Sequence, residues 1–273
     1  MCGFVSVIDP NGKLSLSSLI DMRDTLTHRG PDGAGHWKYE LNDKTIMMGF
    51  RRLAIIDLDN RSNQPFFFNN KVIAFNGEIY NYLEIKKDLI TLGHKFKTDG
   101  DTEVLIKSLI QWGNEAFSKF EGMWAFAFYD LNTGELTLSR DPFSEKPLYY
   151  YENSDGIYFA SEPKAIFKFI GLNLGINFKH IKNYLVGGYK SLRKFNSTFF
   201  EDLNQIEAGH FCIINRYKEK KYIDYRNWNF DSQNSRLNYR DSVEMVREAL
   251  INSIKIRMRS DVPIAFCLSG GID

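Results

Sequence analysis

The chain has 273 residues, enough for one large domain or a little under two, and its 35 basic against 34 acidic side chains leave a net charge of +1. That balance argues against a broad electrostatic footprint for nucleic acid or an anionic membrane. Hydrophobic residues at 43% and charged residues at 25% match ordinary globular proteins, which argues against disorder over most of the chain.

In chain order, residues 2–8 (CGFVSVI) read as a buried strand. Leu19, Met22 and Leu26 recur at helical spacing, and Gly30-Pro31 stop that helix. Strands are predicted at 46–57 and 71–75. In YNYLEIKKDLITLG, Tyr82, Ile85, Leu89 and Leu92 share one broad helical face, and Gly93 suits its C-terminal cap. A second helix is predicted at 102–112. Segments 123–130, 134–140, 147–151 and 157–160 read as consecutive strands rich in aromatics. Strands with helices towards both ends of the domain imply layered sheets with helices packed outside.

Beyond about residue 170 the pattern loosens, and 226–238 reads as a linker. A helix is predicted at 239–259, with Val243, Val246, Leu250, Ile254 and Met258 along one face. Ser260–Pro263 breaks it, and IAFCL reads as a buried strand. There is no internal repeat and no apolar run near the roughly 20 residues of a membrane span. The N-terminus lacks the basic region of a signal peptide, so the expected compartment is the cytoplasm, with neither nucleic acid nor membrane as partner.

Cys2, Cys212 and Cys267 are too few and too widely spaced for a disulfide framework or a zinc site, and no metal site is expected. Cys2 carries the most information. With Met1 removed it has both a thiol and a free α-amino group, whose ordinary pKa is roughly 8. Nucleophile and base then come from one residue, and no catalytic histidine is required. Taken alone, Cys2 reads first as a small buried strand residue, since free cysteine is among the most buried types.

Six segments in order change that balance: MCGF at the start, HRGPDG at 28–33, RRLAIIDL at 51–58, NGEIYN at 76–81, GDTEV at 100–104 and RDPFSEKPLYY at 140–150. Together they resemble class II glutamine amidotransferases, specifically glutamine-hydrolysing asparagine synthetases. The resemblance implies an α+β N-terminal-nucleophile hydrolase fold, an αββα sandwich, and makes Cys2 the nucleophile. It implies oxyanion donors in the Asn76 amide and the Gly77 N–H. Asn-Gly is also the best hairpin pair, but the helical pattern that follows places it at a strand end. Arg51 and Arg52 point to opposite faces, and alternation alone does not choose between them. The resemblance selects Arg52 for the glutamine α-carboxylate, with backbone groups of Leu53, Ala54, Ile55 and Ile56 lining the site. It gives Asp101, helped by Glu78, to the α-ammonium, although Asp101 also suits the N-cap of the following helix. HRGPD reads on its own as a helix stop with Arg29 and Asp32 solvated, whereas the resemblance makes it a loop near the glutamine pocket with no residue assigned chemistry. Ser144 stands where the family commonly has Gly, and Ala208 where Pro is usual.

IAFCLSGGID resembles the phosphate loop of ATP pyrophosphatases, in which a glycine turn and a helix N-terminus hold pyrophosphate. Leu268, Ser269, Gly270, Gly271 and Asp273 are its candidates, an incomplete set. The expected organisation is a glutaminase domain over 1–225, a linker over 226–238, and over 239–273 the beginning of an α/β synthetase domain. An intact family member would use ATP and Mg to amidate aspartate with ammonia passed between domains, and a homodimer is possible. The 273 residues are expected to hydrolyse glutamine only, a step that needs no cofactor. A sugar precursor of a surface polysaccharide is an alternative acceptor, and a non-catalytic glutamine-binding remnant is a reading of another class. The α-amino base requires residue 2 to be the first residue of the active protein. Intact mass spectrometry is therefore expected to show loss of one methionine, and blocked processing to abolish glutaminase activity.

Overall fold

The computed structural model describes residues 1–9, 11–12, 14–41, 44–171, 174–189, 192, 196–226, 238–267 and 269–271. The elements run β1 (Gly3–Asp9), α1 (Leu16–Asp24), β2 (Gly33–Leu41), β3 (Lys44–Arg52), β4 (Phe66–Phe68), β5 (Lys71–Ile79), α2 (Tyr82–Thr91) and α3 (Asp101–Trp112). Then follow β6 (Gly122–Asp130), β7 (Glu135–Arg140), β8 (Tyr149–Glu152), β9 (Ile157–Ala160), α4 (Pro163–Ile170) and α5 (Phe178–Gly187). β10 (Asn204–Gln205), β11 (His210–Ile214), β12 (Lys220–Asp224) and α6 (Tyr239–Arg257) complete the order.

Two six-stranded sheets stack face to face, one ordered β10-β8-β9-β1-β3-β2 and the other β12-β11-β7-β6-β5-β4. Every pairing is antiparallel. Side chains alternate faces along a strand, so parity assigns each residue to a layer. Phe4, Ile8, Met48 and Phe50 of one sheet meet Val72, Ala74, Ala125 and Ala127 of the other in the central layer. Val5, Val7 and Met47 turn outward onto α1 and α4. Ile73, Phe75, Trp124 and Phe126 turn the other way onto α2 and α3. Both faces of the central strands are covered, which is why β1 is buried at all seven positions instead of showing polar alternation. The layers are α, β, β, α, the sandwich that the sequence implied.

The differences from the sequence reading have physical causes. The strand predicted at 46–57 ends at Arg52, where the chain leaves the sheet. The strand predicted at 71–75 runs on to Ile79, so Asn76-Gly77 lies inside a ladder, opposite Ala125 and Trp124, and not at a strand end. Leu92, assigned to the apolar face of α2, is 52% exposed. β2, β4, α4, α5 and β10–β12 carry too weak a pattern to be read from the sequence. α6 forms as expected, but none of its residues is buried and its apolar stripe faces outward. Ile264, Ala265, Phe266 and Cys267 are exposed and form no strand. A strand needs a partner ladder, and among the described residues none lies beside them. The linker assigned to 226–238 falls, apart from its end residues, outside the described residues, as do Leu268 and Asp273.

Ser144 adopts φ +55°, the left-handed conformation suited to glycine. An L-residue there costs roughly 1–2 kcal/mol. Ser144→Gly is therefore expected to raise stability, by up to about 1 kcal/mol once the freer unfolded glycine is counted. Denaturant unfolding measures this, and an unchanged midpoint would contradict it.

Candidate active site

A cavity of about 140 Å³ opens at one end of the central layer, lined by residues that include Cys2, Arg52, Asn76, Gly77, Glu78, Asp101 and Lys146. Parity explains this gathering. Asn76 and Glu78 share the inward face of β5 with Val72 and Ala74, and Cys2 continues the inward face of Phe4. Arg52 continues Met48 and Phe50. The structure thus makes the choice that sequence alternation left open: Arg51 turns outward, donating to the Gly30 carbonyl at 3.0 Å and to Asp24 at 3.4 Å.

The Cys2 thiol sits between the two backbone polar groups of Leu53. Its Sγ accepts from the Leu53 N–H at 3.3 Å and reaches the Leu53 carbonyl at 3.4 Å. Burial pushes the thiol up, while the Leu53 amide pulls it back. The resting group is therefore a thiol that needs a base. Arg29, read as solvated from the sequence, is 8% exposed and donates from Nε to the Cys2 carbonyl at 2.9 Å. Its Nη1 bonds Glu162 at 3.0 Å. His28 lies outside this group, its ring on Glu162 and Lys164. Asp32 does sit at the surface, yet its carboxylate accepts from the Ala54 N–H at 2.9 Å and pins the cavity loop.

Leu53, Ile55 and Ile56 line the cavity, whereas Ala54 does not. Arg52 holds this loop from within. It donates to the Asp59 carbonyl at 2.8 Å, to Asn63 Oδ1 at 2.9 Å, to the Ile56 carbonyl at 3.5 Å and to the Asp57 carbonyl. From the other side, Asp261 accepts from the Asp57 N–H at 2.7 Å and donates its own N–H to the Ile55 carbonyl at 2.9 Å. The segment after α6 thereby leans on the wall of the cavity.

Both polar atoms of the Asn76 amide are buried without a hydrogen-bond partner among the described residues. Such groups are rare in folded proteins. Gly77 is required by packing: a Cβ there would lie 2.2 Å from the Met123 carbonyl and 2.8 Å from Trp124 Cα. Asp101 is the first residue of α3, with Gly100 as N-cap, and its carboxylate accepts from the Ile79 N–H at 2.9 Å. Burial, opposed by that amide and reinforced by Glu78, pushes Asp101 up to about 7. Burial also raises Glu78.

The sequence reading did not foresee Lys146, Gln64, Ser62, Phe75, Thr102 or Met123 as lining residues. Gln64 pairs with both backbone groups of Phe75 and with Thr102, tying β5 to α3. Lys146 lies inside the RDPFSEKPLYY motif, but nothing local sets it apart from an ordinary turn lysine. Ser269 and Gly271 form an exposed bend around Gly270, φ +78°. With no strand leading into them, the described residues there do not make a phosphate cradle.

Cys2 and the unpartnered Asn76 amide thus share a cavity at the open end of two stacked antiparallel sheets. Residues 1–226 match the glutamine amidotransferase domain, and the chain belongs to that family. Residues 245–273 match asparagine synthase. Asparagine synthetase (glutamine-hydrolysing) 1 of Bacillus subtilis is 36% identical over 284 residues, covering all of this chain and 42% of the relative. A putative asparagine synthetase 2 of Methanocaldococcus jannaschii is 31% identical over all of this chain and 55% of its own length. The chain thus spans about half the length of these relatives or less. The fold is that of a glutamine phosphoribosylpyrophosphate amidotransferase from B. subtilis, with a TM-score of 0.61 at 21% identity over 83% of this chain and 50% of that one.

Asp101 supplies a pH test. Its carboxyl is near 7 in the fold and near 3.8 in the unfolded chain, so between these values the unfolded state has released a proton that the fold retains. Stability is then lost as pH rises from about 4 to about 7. A tenfold change in proton affinity is worth ~1.4 kcal/mol. Asp101→Asn is expected to exceed wild type in stability at pH 8 by more than about 1 kcal/mol, with the gap closing by pH 4. Urea unfolding at the two pH values reads this directly.

Proposed function

We propose that this chain hydrolyses glutamine to glutamate and ammonia. The observation that carries the reading is the Asn76 amide, buried without a partner in the same cavity as the Cys2 thiol. A cavity of this size suits an amino acid and not a polymer. Asp101 and Glu78 offer acceptors for a substrate ammonium, while Arg52 and the loop of Leu53, Ile55 and Ile56 face the carboxylate. Because the loop carbonyls already engage both terminal nitrogens of Arg52, that residue contributes loop shape as well as charge.

The Cys2 α-amine, once Met1 is removed, takes the thiol proton. Met1 lines the cavity, so its removal also clears space for the scissile amide. The thiolate attacks the side-chain amide carbon, and the carbonyl electron pair moves onto oxygen. Asn76 Nδ2–H and Gly77 N–H donate to that oxyanion, held ready before the charge develops. On collapse the C–N bond breaks, and the ammonium of Cys2 returns its proton to the departing nitrogen. Ammonia leaves a thioester, which water cleaves to glutamate and the free thiol. Ammonia would then pass to an asparagine synthase domain, whose beginning the chain matches, for ATP-dependent amidation of aspartate with Mg.

Asn76→Ala is expected to lower kcat by about 10²–10³-fold with little change in KM, the ordinary loss for one oxyanion donor. Cys2→Ser is expected to lose most turnover while still binding glutamine. Ammonia release measured on the purified variants checks both. Undiminished turnover in Asn76→Ala would refute the assignment, and glutamine binding by wild type without any ammonia release would favour a binding remnant.

A further inference from the structure

The turn between β7 and β8 holds a charge that the mechanism above does not use. Asp141 is fully buried, and its carboxylate accepts backbone N–H groups of Phe143, Glu145, Lys146 and Trp124 at 3.0, 2.9, 2.9 and 3.3 Å. Arg140 donates from Nε to the Lys146 carbonyl at 2.8 Å and from Nη2 to the Ser144 carbonyl at 3.2 Å. Lys146 is thus clamped through both its N–H and its C=O. Its side chain enters the cavity beside Cys2, Asn76, Gly77 and Glu78.

Lys146 is 6% exposed, and no hydrogen bond or ion pair of its ammonium is present among the described residues. Lysine is almost never buried this deeply without a partner. A buried cation also carries a desolvation cost that only a nearby negative charge offsets. Burial lowers Lys146, whereas Glu78 and Cys2 act to raise it. The other charged groups facing Cys2 or Lys146 are anionic Asp101 and Glu145 and cationic Arg29, Arg52 and the N-terminal amine. Arg29 and Arg52 are bound to backbone carbonyls, and the amine is the base of the mechanism above, which leaves Lys146, among the described residues, as the side-chain cation there with an unassigned terminal donor.

We propose that Lys146 is the electrostatic partner of the Cys2 thiolate, supporting the negative charge on sulfur and then on the attacked amide. This role rests on the glutaminase reading for its place in catalysis, but not for its effect on the thiol. Lys146 keeps its three protons throughout, and the proton from Sγ goes to the α-amine. The RDPFSEKPLYY turn is on this view the mount that delivers the cation.

The test is alkylation of Cys2 by iodoacetamide across pH 6–10, followed by peptide mass spectrometry so that exposed Cys267 does not interfere. In Lys146→Met the inflection is expected to move to higher pH and alkylation at pH 7 to slow about tenfold, the equivalent of one pKa unit. Lys146→Arg is expected to restore the wild-type curve, and kcat/KM for glutamine to follow the same order. Thermal melting monitors folding, and Lys146→Gln replaces the Met variant should that variant not fold. Superimposable pH profiles for wild type and the neutral variants would overturn the proposal. A shifted profile in a protein that releases no ammonia would uphold Lys146 and refute the glutaminase reading instead.

Discussion

The chemistry of the cavity depends on where the second residue of the chain is held. β1 begins one residue later and lies third from one edge of its sheet, paired with β9 on one side and β3 on the other. Gly3 faces Arg51 across that ladder, so the Cys2 thiol meets the backbone of Leu53 as the chain leaves β3. Arg29 takes up the Cys2 carbonyl. A terminal residue, ordinarily the freest part of a chain, is thereby bound through side chain and backbone.

The same end of the sandwich concentrates buried charge. Asp101 and Glu78 are pushed up by burial and Lys146 is pushed down. Three ionisable groups held against their ordinary tendencies would be a poor way to stabilise a fold. Gathered in one cavity, groups shifted in this way mark a candidate functional site. The buried Glu103–Lys107 pair shows the contrast: its 2.6 Å bond and further bonds to Lys97 and Thr98 satisfy the groups internally and leave nothing for a ligand.

Two segments remote in sequence support the cavity from outside. The turn fixed by Arg140 and Asp141 forms one wall. The stretch from Arg259 to Asp261 braces the loop over Ile55–Asp57 and binds Glu84 at 2.6 Å. This stretch lies within the part that matches asparagine synthase, so residues of that match hydrogen-bond the loop that walls the cavity.

The sequence by itself determined the family and most strands from β5 to β9, because these rest on local pattern and on motifs in order. It also named Cys2, Asn76, Gly77 and Asp101, which the fold gathers around one cavity. The motif match already selected Arg52 over Arg51, and the tertiary structure supplies the physical reason, since the choice depends on which face of β3 looks across to the second sheet. Tertiary packing also buried Arg29 against Cys2, carried β5 through the Asn-Gly pair, and left residues 264–267 without a ladder among the described residues. Lys146 reads in the sequence as an ordinary lysine in a turn. Its meaning arises from a buried carboxylate and a guanidinium that clamp its backbone, a constraint set by three-dimensional packing that no local periodicity records.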